Sequence, residues 1–305
     1  QPETLQDAVL YFADEERCVE FVARLRWPDG VHCPRCKSTT VTWIAARRLW
    51  QCKGCRNQFS VKVGTIFEAS PIRLSTWLPA VWLIASAKNG ISSYELARLL
   101  GVTQKSAWLM LHRIRFAMRN GGIEQLSGEV EADEGFIGAK TCLMHKCERK
   151  AKGRGAVGKA VVMALLERHG DGWLTHVPDN RAETVQPIVR ERVQPGSELL
   201  TDGLTSYAGL DDEYVHQVID RAEASVRDNV HTSGIESFCI LLMRMIKLVN
   251  INVEPFNLFR NLDELAFRFN TRKQPDAVRM ADVVAAAERR RLTNKQLIRE
   301  SAAAT

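Results

Sequence analysis

The apolar residues of this chain keep two different rhythms. In the first they recur every three to four positions. Ser75 to Lys88 is mostly apolar and stops at Asn89-Gly90, which predicts a helix with a glycine stop. Ser92-Ser93-Tyr94-Glu95 has the spacing of a capping box, so a second helix starts at Ser92, carries Leu96, Ala97, Leu99 and Leu100, and ends at Gly101. Thr103 is the expected N-cap of a third helix, which runs through Gln104-Lys105-Ser106 to about Arg119. Its apolar positions Ala107, Leu111, Ile114 and Met118 recur at helical spacing.

From Glu129 the period shortens to two. Glu129-Val130-Glu131-Ala132-Asp133 alternates acid and apolar, so Glu131 and Asp133 share one strand face. Ala160 to Leu166 is an apolar run fit for a buried strand, and His169-Gly170-Asp171-Gly172 turns it into a strand over Trp173 to Val177. Ala182 to Val193 reads as a helix with Val185, Ile188 and Val189 inward, and Glu198 to Asp202 as a strand ended by Gly203. Ile235, Phe238, Cys239, Leu242, Met245 and Ile246 then mark one face of a long helix, with Glu236 beside that stripe at its N-terminal end.

At 305 residues the chain has room for about two domains, or three if two are small. Hydrophobic content of 45% and charge of 26% are ordinary for a globular protein. No apolar run approaches the roughly 18 residues of a membrane helix, and the start lacks a secretory layout. The expectation is a cytoplasmic protein with no membrane partner. Net charge is 42 − 36 = +6, which suits a polyanionic partner without demanding one. Between Lys140 and Lys159 stand seven Lys or Arg and one acid, Glu148. That segment reads either as a solvated basic loop or as a flexible loop beside a site that handles DNA.

Eight cysteines in such a chain point away from disulfides. Cys33-Pro34-Arg35-Cys36 and Cys52-Lys53-Gly54-Cys55 are two CxxC knuckles separated by fifteen residues. Each knuckle turns two sulfurs to one side, and two together close a tetrahedron around one structural zinc. Gly54 is expected to take a positive backbone angle in the second. Thr39 to Ile44 and Arg48 to Gln51 can pair as a hairpin, and Gln58 to Phe67 favours strand. A redox pair is the competing reading of a single CxxC. Cys142 and Cys147 bracket His145 but lack an evident fourth ligand, so they read as coincidence.

Short helix, glycine turn and a helix opening with polar residues is a helix-turn-helix layout; a plain helical bundle is the alternative. In the first reading Gln104, Lys105 and Ser106 face the groove, with Arg113 and Arg115 near phosphate. Further along, Asp133 lies late on a first strand, Asp202 ends a later strand and Glu236 opens a helix. Carboxylates gathered at strand ends repel one another unless cations lie between them. Two Mg²⁺ or Mn²⁺ ions suit such an all-oxygen site and phosphodiester chemistry.

Several longer signatures join these residues. They are Leu25-Arg26-Trp27-Pro28-Asp29-Gly30 before the first knuckle, Ala132-Asp133-Glu134-Gly135-Phe136-Ile137-Gly138, and Gly153-Arg154-Gly155-Ala156-Val157-Gly158-Lys159. Thr201-Asp202-Gly203 with Tyr207, His231-Thr232-Ser233-Gly234-Ile235-Glu236-Ser237-Phe238 and Glu264-Leu265-Ala266-Phe267-Arg268-Phe269-Asn270 complete them. In order and spacing they resemble the insertion-sequence DDE transposases with an N-terminal zinc ribbon, the insertion sequence 1595 family, related to eukaryotic Merlin elements. The resemblance runs roughly from Phe12 to Arg272. It implies an RNase H-like core in which Asp133, Asp202 and Glu236 hold two catalytic ions. It also implies cutting of DNA at the element ends, strand transfer into target DNA, a homo-oligomer in the transposition complex, and nucleoid association in a bacterial host. Arg154, Lys159, Arg244 and Lys247 are the further candidate DNA contacts.

Near the third acid the chain departs from that pattern. Asparagine is expected where Ser233 stands, tryptophan at Cys239 and lysine at Met243. Arg244 or Lys247, each within about one turn of Met243, can replace the missing cation. These departures support the alternative of a catalytically impaired or domesticated copy acting as a sequence-specific DNA-binding protein. A plain transcription factor leaves residues 129 to 272 without a purpose. The expected organisation is a multidomain α+β or α/β chain. It comprises an N-terminal helix and ribbon over 1–70, a helix-turn-helix over 71–125 and an RNase H-like mixed-sheet domain over 126–274. A solvated helical tail over 275–305 completes it, with Glu288-Arg289-Arg290-Arg291 in a helix.

Overall fold

The computed structural model describes residues 2–119, 125–137, 159–202, 205–219, 233–248, 255–293 and 295–297. The glycine-rich basic loop with Arg154, the group Cys142, His145 and Cys147, and Gly203, His231 and Thr232 lie outside them. The chain divides into two compact units, residues 1–119 with 271–305, and residues 120–270.

The first unit opens with α1 (Leu5–Tyr11), started by a Thr4–Asp7 capping box, and α2 (Glu15–Arg26), capped by Asp14. An antiparallel sheet follows, of β1 (Val41–Ile44), β2 (Leu49–Cys52) and β3 (Gln58–Phe59), with Trp43 opposite Trp50. Strand was expected to continue to Phe67 but stops at Phe59. Beyond it the chain turns, because Val61, Ile66 and Phe67 are all drawn into the core and local bonds hold the turns. Thr65 Oγ1 donates to the Lys62 carbonyl and Lys62 Nζ to the Ile72 carbonyl, both at 2.7 Å.

Three helices come next: α3 (Leu74–Ser86), α4 (Ser93–Leu100) and α5 (Gln104–Met118). Helix α3 is buried on nearly every side, through Trp77, Leu78, Trp82 and Ile84. Its opening amides at Leu74 and Ser75 donate to the distant carboxylate of Glu15, at 3.0 and 3.1 Å. Ser92 and Thr103 cap α4 and α5 as their sequence suggests, and Gly101 ends α4 with a φ of 65°.

The C-terminal segment is not a solvated tail. Helix α9 (Asp276–Ala285; the three helices before it in the chain belong to the second unit) buries Met280, Val283 and Val284, and it packs against α2, α3 and α5. Glu288 to Arg291 fall beyond that helix, and three of the four are engaged. Glu288 approaches the buried Arg26 at 3.7 Å, Arg290 donates to the carbonyls of Phe116 and Ala117 at 2.8 Å, and Arg291 pairs with Glu68 at 3.3 Å. An apolar face on α9 and three partnered charges explain why this segment joins the first unit.

The second unit is a five-stranded mixed sheet with helices, consistent with an RNase H-like domain. Its strands are β4 (Glu129–Ile137), β5 (Ala160–Glu167), β6 (Gly172–Val177), β7 (Glu198–Asp202) and β8 (Val215–Ile219), in the order β6-β5-β4-β7-β8. The first three pair antiparallel, whereas β7 runs parallel to both β4 and β8. Both faces are covered. On one, Val130, Ala132, Met163 and Leu165 pack with Val185 and Val189 of α6 (Ala182–Arg192). On the other, Val162, Ala164 and Leu166 pack with Ile235, Phe238 and Leu242 of α7 (Ser233–Leu248) and with Leu258 and Leu262 of α8 (Pro255–Asn270). The continuous apolar run of β5 follows from this, since a central strand buries both of its faces.

Candidate active site and metal centre

Two constellations stand out, one in each unit. In the first, the ribbon's hairpins bring Cys33, Cys36, Cys52 and Cys55 together. Cys33 and Cys55 sulfurs are 3.6 Å apart, those of Cys36 and Cys52 3.4 Å, and all four lie within 4.8 Å of one another. A tetrahedron with zinc–sulfur bonds of about 2.3 Å has sulfur–sulfur edges of about 3.8 Å, so the donor set fits one structural zinc.

Backbone amides prepare the sulfurs for it. The amide of Cys55 draws the Cys52 thiol down to about 6 against the opposing effect of burial, with help from the Gly54 amide. At Cys33 burial opposes ionisation, and the amides of Cys36 and Arg35 outweigh it. The Ser38 amide favours a thiolate at Cys36, yet the neighbouring Cys52 and Cys55 sulfurs push that thiol up to about 12. Sulfurs packed this closely suit a shared cation that offsets their charge. The positive backbone angles fall at Lys37 (63°) and Arg56 (58°), just after each second cysteine, and not at Gly54. The expectation for Gly54 is corrected accordingly; its place in the knuckle lies against Cys52 Sγ, 3.7 Å from where a Cβ would stand.

In the second unit the acids meet through sheet register. Glu131 of β4 is the parallel partner of Leu200 of β7, and two residues further along stand Asp133 and Asp202. Adjacent strands are about 4.8 Å apart and faces alternate, so both carboxylates rise from the α7 side of the sheet. Helix α7 starts over the same strand, because the Ile235 amide donates to Glu131 at 2.8 Å. Glu236 is the next residue, exposed in the first turn. All three sequence-derived acids thus sit on one face of the sheet. Among the described residues the four cysteines are the one group of three or more such side chains placed to share an ion, and the three acids do not form another.

Two residues that stand in the sequence signatures without an assigned role adjoin this region. Glu134, on the opposite face of β4, is buried and accepts a hydrogen bond from the Tyr207 hydroxyl in the Thr205–Tyr207 turn. Burial pushes Glu134 up to about 7, the Tyr207 bond pulls the other way, and the Asp202 and Asp133 charges add to the rise. Burial raises the Tyr207 hydroxyl as well, with the charges of Glu134, Asp202 and Asp133 behind it. The pair ties the acid-bearing strand to the turn that follows Asp202. An acid beside an acid was the available signal at Glu134, but a buried partner cannot be read from the pattern.

The candidate DNA contacts separate. Lys105 is exposed at the start of α5. Gln104 donates to Ser93 Oγ at 3.0 Å, and Ser106 is engaged in the Thr103 cap. Arg113 departs from expectation. It is 5% exposed and donates to the carbonyls of Ile66 and Glu68 at 3.0 Å, so it closes a turn in the core. Arg115 is equally buried. Arg113 shares the inward side of α5 with Met110, Ile114 and Ala117, which is why helical spacing carries it inward. Lys159 is half-buried ahead of β5, and Arg244 is exposed on α7. Arg154 and the Lys247 side chain lie outside the described residues. Cys239 and Met243, two of the departures from the family pattern, both pack toward the α7-side core, and Met243 approaches Gly135 of β4.

Comparison with known proteins agrees with this division. Residues 125–270 match the ISXO2-like transposase domain, and residues 13–58 match the transposase zinc-ribbon domain. A protein in the transposable element ISH50 of Halobacterium salinarum is 28% identical over 251 residues, covering 77% of this chain and 84% of its own length. A transposase-like protein of Haemophilus influenzae is 34% identical over 96 residues, 31% of this chain and 76% of its own. With the ribbon, the mixed sheet and both matches in the same order along the sequence, the chain belongs to the ISXO2-like family of insertion-sequence transposases.

Proposed function

We propose that the chain binds the terminal inverted repeats of its element, cuts the DNA there and joins the freed ends to target DNA. The observation that carries this reading is the common face of Asp133, Asp202 and Glu236, drawn from two parallel neighbouring strands and the helix that starts above them. Such a set of oxygens suits a pair of hard divalent cations. When bound, Mg²⁺ or Mn²⁺ would supply electrophilic charge at the phosphodiester.

The chain's own part is positioning. Asp133 and Asp202 stand on strands whose register is set by the sheet, and Glu236 stands on a helix packed over β4. The chemistry is hydrolysis at the element end, which frees a 3′-hydroxyl, followed by attack of that hydroxyl on a target phosphodiester. Helices α4 and α5 act as a helix-turn-helix, with Lys105 at the phosphate backbone, and the ribbon adds a second DNA contact. Pairing two element ends requires at least two copies of the chain.

The test is an assay with the full chain, duplex DNA carrying the inverted repeat that flanks its gene, and Mn²⁺ or Mg²⁺. Cleavage and strand transfer are expected, lost in Asp133→Ala and Asp202→Ala while DNA binding persists. Transfer by both variants at the wild-type rate would sink the assignment of these acids. Tight, repeat-specific binding by the wild type with no cleavage in either metal would favour the DNA-binding regulator instead.

A further inference from the structure

Glu131 has only 1% of its surface exposed and belongs neither to the acids assigned above nor to the apolar core. Both of its oxygens are engaged, by two different elements. Oε1 accepts from Nε of Arg168, 3.1 Å away just past β5, and Oε2 accepts the backbone N–H of Ile235, 2.8 Å away in the first turn of α7. Arg168 is itself held by an ion pair with Glu129.

A helix begins with four amides that lack internal partners. Here one of them is satisfied by a side chain 104 positions earlier in the chain. The approach is close. A Cβ on Gly234 would lie 3.1 Å from both Glu131 oxygens and 3.3 Å from Leu166 Cδ2, so a side chain there would press the carboxylate or the helix aside by a few tenths of an ångström. The first unit solves the same problem alike, with Glu15 accepting the first amides of α3.

Asp133 stands two residues beyond Glu131 on the same face of β4, and Glu236 follows Ile235 directly. We infer that Glu131 is a positioning residue, which sets the spacing between the strand carrying Asp133 and the helix carrying Glu236. A buried carboxylate costs free energy unless it is fully hydrogen-bonded, and its two bonds are directional. They hold the start of α7 at one height over β4, where apolar packing alone would let it slide. The inference rests on the transposase reading for the use made of that spacing; the contact stands apart from it.

The test compares the full wild-type chain with Glu131→Gln and Gly234→Ala. The first keeps the shape of the side chain but sets an N–H₂ against Arg168 or the Ile235 amide. The second presses the helix away from an intact Glu131 and carries the test if the first does not fold. Val189→Ala, in the core on the other side of the sheet, controls for lost stability. Amide exchange by mass spectrometry and Mn²⁺ binding by electron paramagnetic resonance are both read, with DNA affinity alongside.

Exchange in the first turn of α7 is expected to quicken about tenfold in both variants. Half-saturation by Mn²⁺ is expected to rise about tenfold, with DNA affinity unchanged and Val189→Ala like the wild type in both measures. Wild-type exchange and wild-type Mn²⁺ binding in Glu131→Gln overturn the inference, and so does an equal shift in Val189→Ala. If the wild type never acts on DNA, the transposase reading fails, while amide exchange still decides whether Glu131 sets the start of α7.

Discussion

The ribbon's cysteines and the acids proposed to hold metal are built at opposite ends of a scale of locality. Cys33 and Cys55 lie 22 positions apart and reach each other through two tight turns and one hairpin. The acids run from residue 133 to residue 236, on elements that meet only through a five-stranded sheet and the helix packed on it. The ribbon's few residues cannot bury a core large enough to hold it, so the metal must. The second unit is held by two apolar layers, and its acids are guests of a fold that stands without them. Metal should therefore be structural in one unit and dispensable to folding in the other.

Removing zinc is the hardest blow to that contrast. A structural zinc contributes about 10–16 kcal/mol to folding, so chelation should unfold the ribbon. Six of the seven tryptophans lie in the first unit and only Trp173 in the second, so emission should change strongly. Amides of β4 and β5 should keep their exchange protection; their loss along with the ribbon would break the comparison. Next in size is Asp133→Ala, or Asp202→Ala, which should slow strand transfer about 1000-fold, a few kcal/mol of lost charge stabilisation. Urea unfolding of the second unit should barely move, as befits an acid that serves chemistry and not the core.

Tyr207→Phe should act oppositely. It leaves the buried Glu134 without its hydroxyl partner, beside an Oε2 that has none, and should cost about 1–3 kcal/mol in urea unfolding. Acidity sharpens the contrast further. The raised Glu134 binds its proton more tightly folded than unfolded, so the metal-free second unit should lose stability as pH rises from 4.5 to about 7. Glu15 has the opposite sign. Burial works against its charge, but the amides of Leu74 and Ser75 prevail and hold it below 4.5. Its contribution to the first unit is present above pH 4.5 and lost as pH falls through the folded value. Glu134→Gln and Glu15→Gln should each flatten one slope, followed by circular dichroism across pH. The smallest effect is Lys105→Ala, which should reduce the salt slope of DNA binding by about one and leave unfolding unchanged. Arg113→Ala should do the reverse, through its two carbonyl partners.

Locality also explains what could be read from the chain. Ser92, Thr103 and Gly101 act on amides and turns within a few residues, and the helices they bound appear where expected. Strand β7 reaches Asp202, and β4 alternates faces as its opening residues suggest, with Val130 and Ala132 toward α6 and Glu131 toward α7. Arg113 defeated the same reasoning, since a cation on a helix says nothing of which face meets the core. Gly54 did so because the strained angle belongs to the residue after each knuckle, held there by the sulfur geometry. The segment beyond Pro275 looked like a tail because its partners Arg26, Glu68 and Phe116 lie far back in the chain.

The order of residues was thus enough for the four-cysteine cluster and the helix starts, which depend on spacing over a few positions. It could not specify that Glu131 reaches the Ile235 amide, that Tyr207 covers Glu134, or that α9 closes over α3. Those pairings require a sheet register and a helix docking that exist only once distant segments have been brought together. A hydrogen bond between positions 104 apart leaves no periodicity behind it.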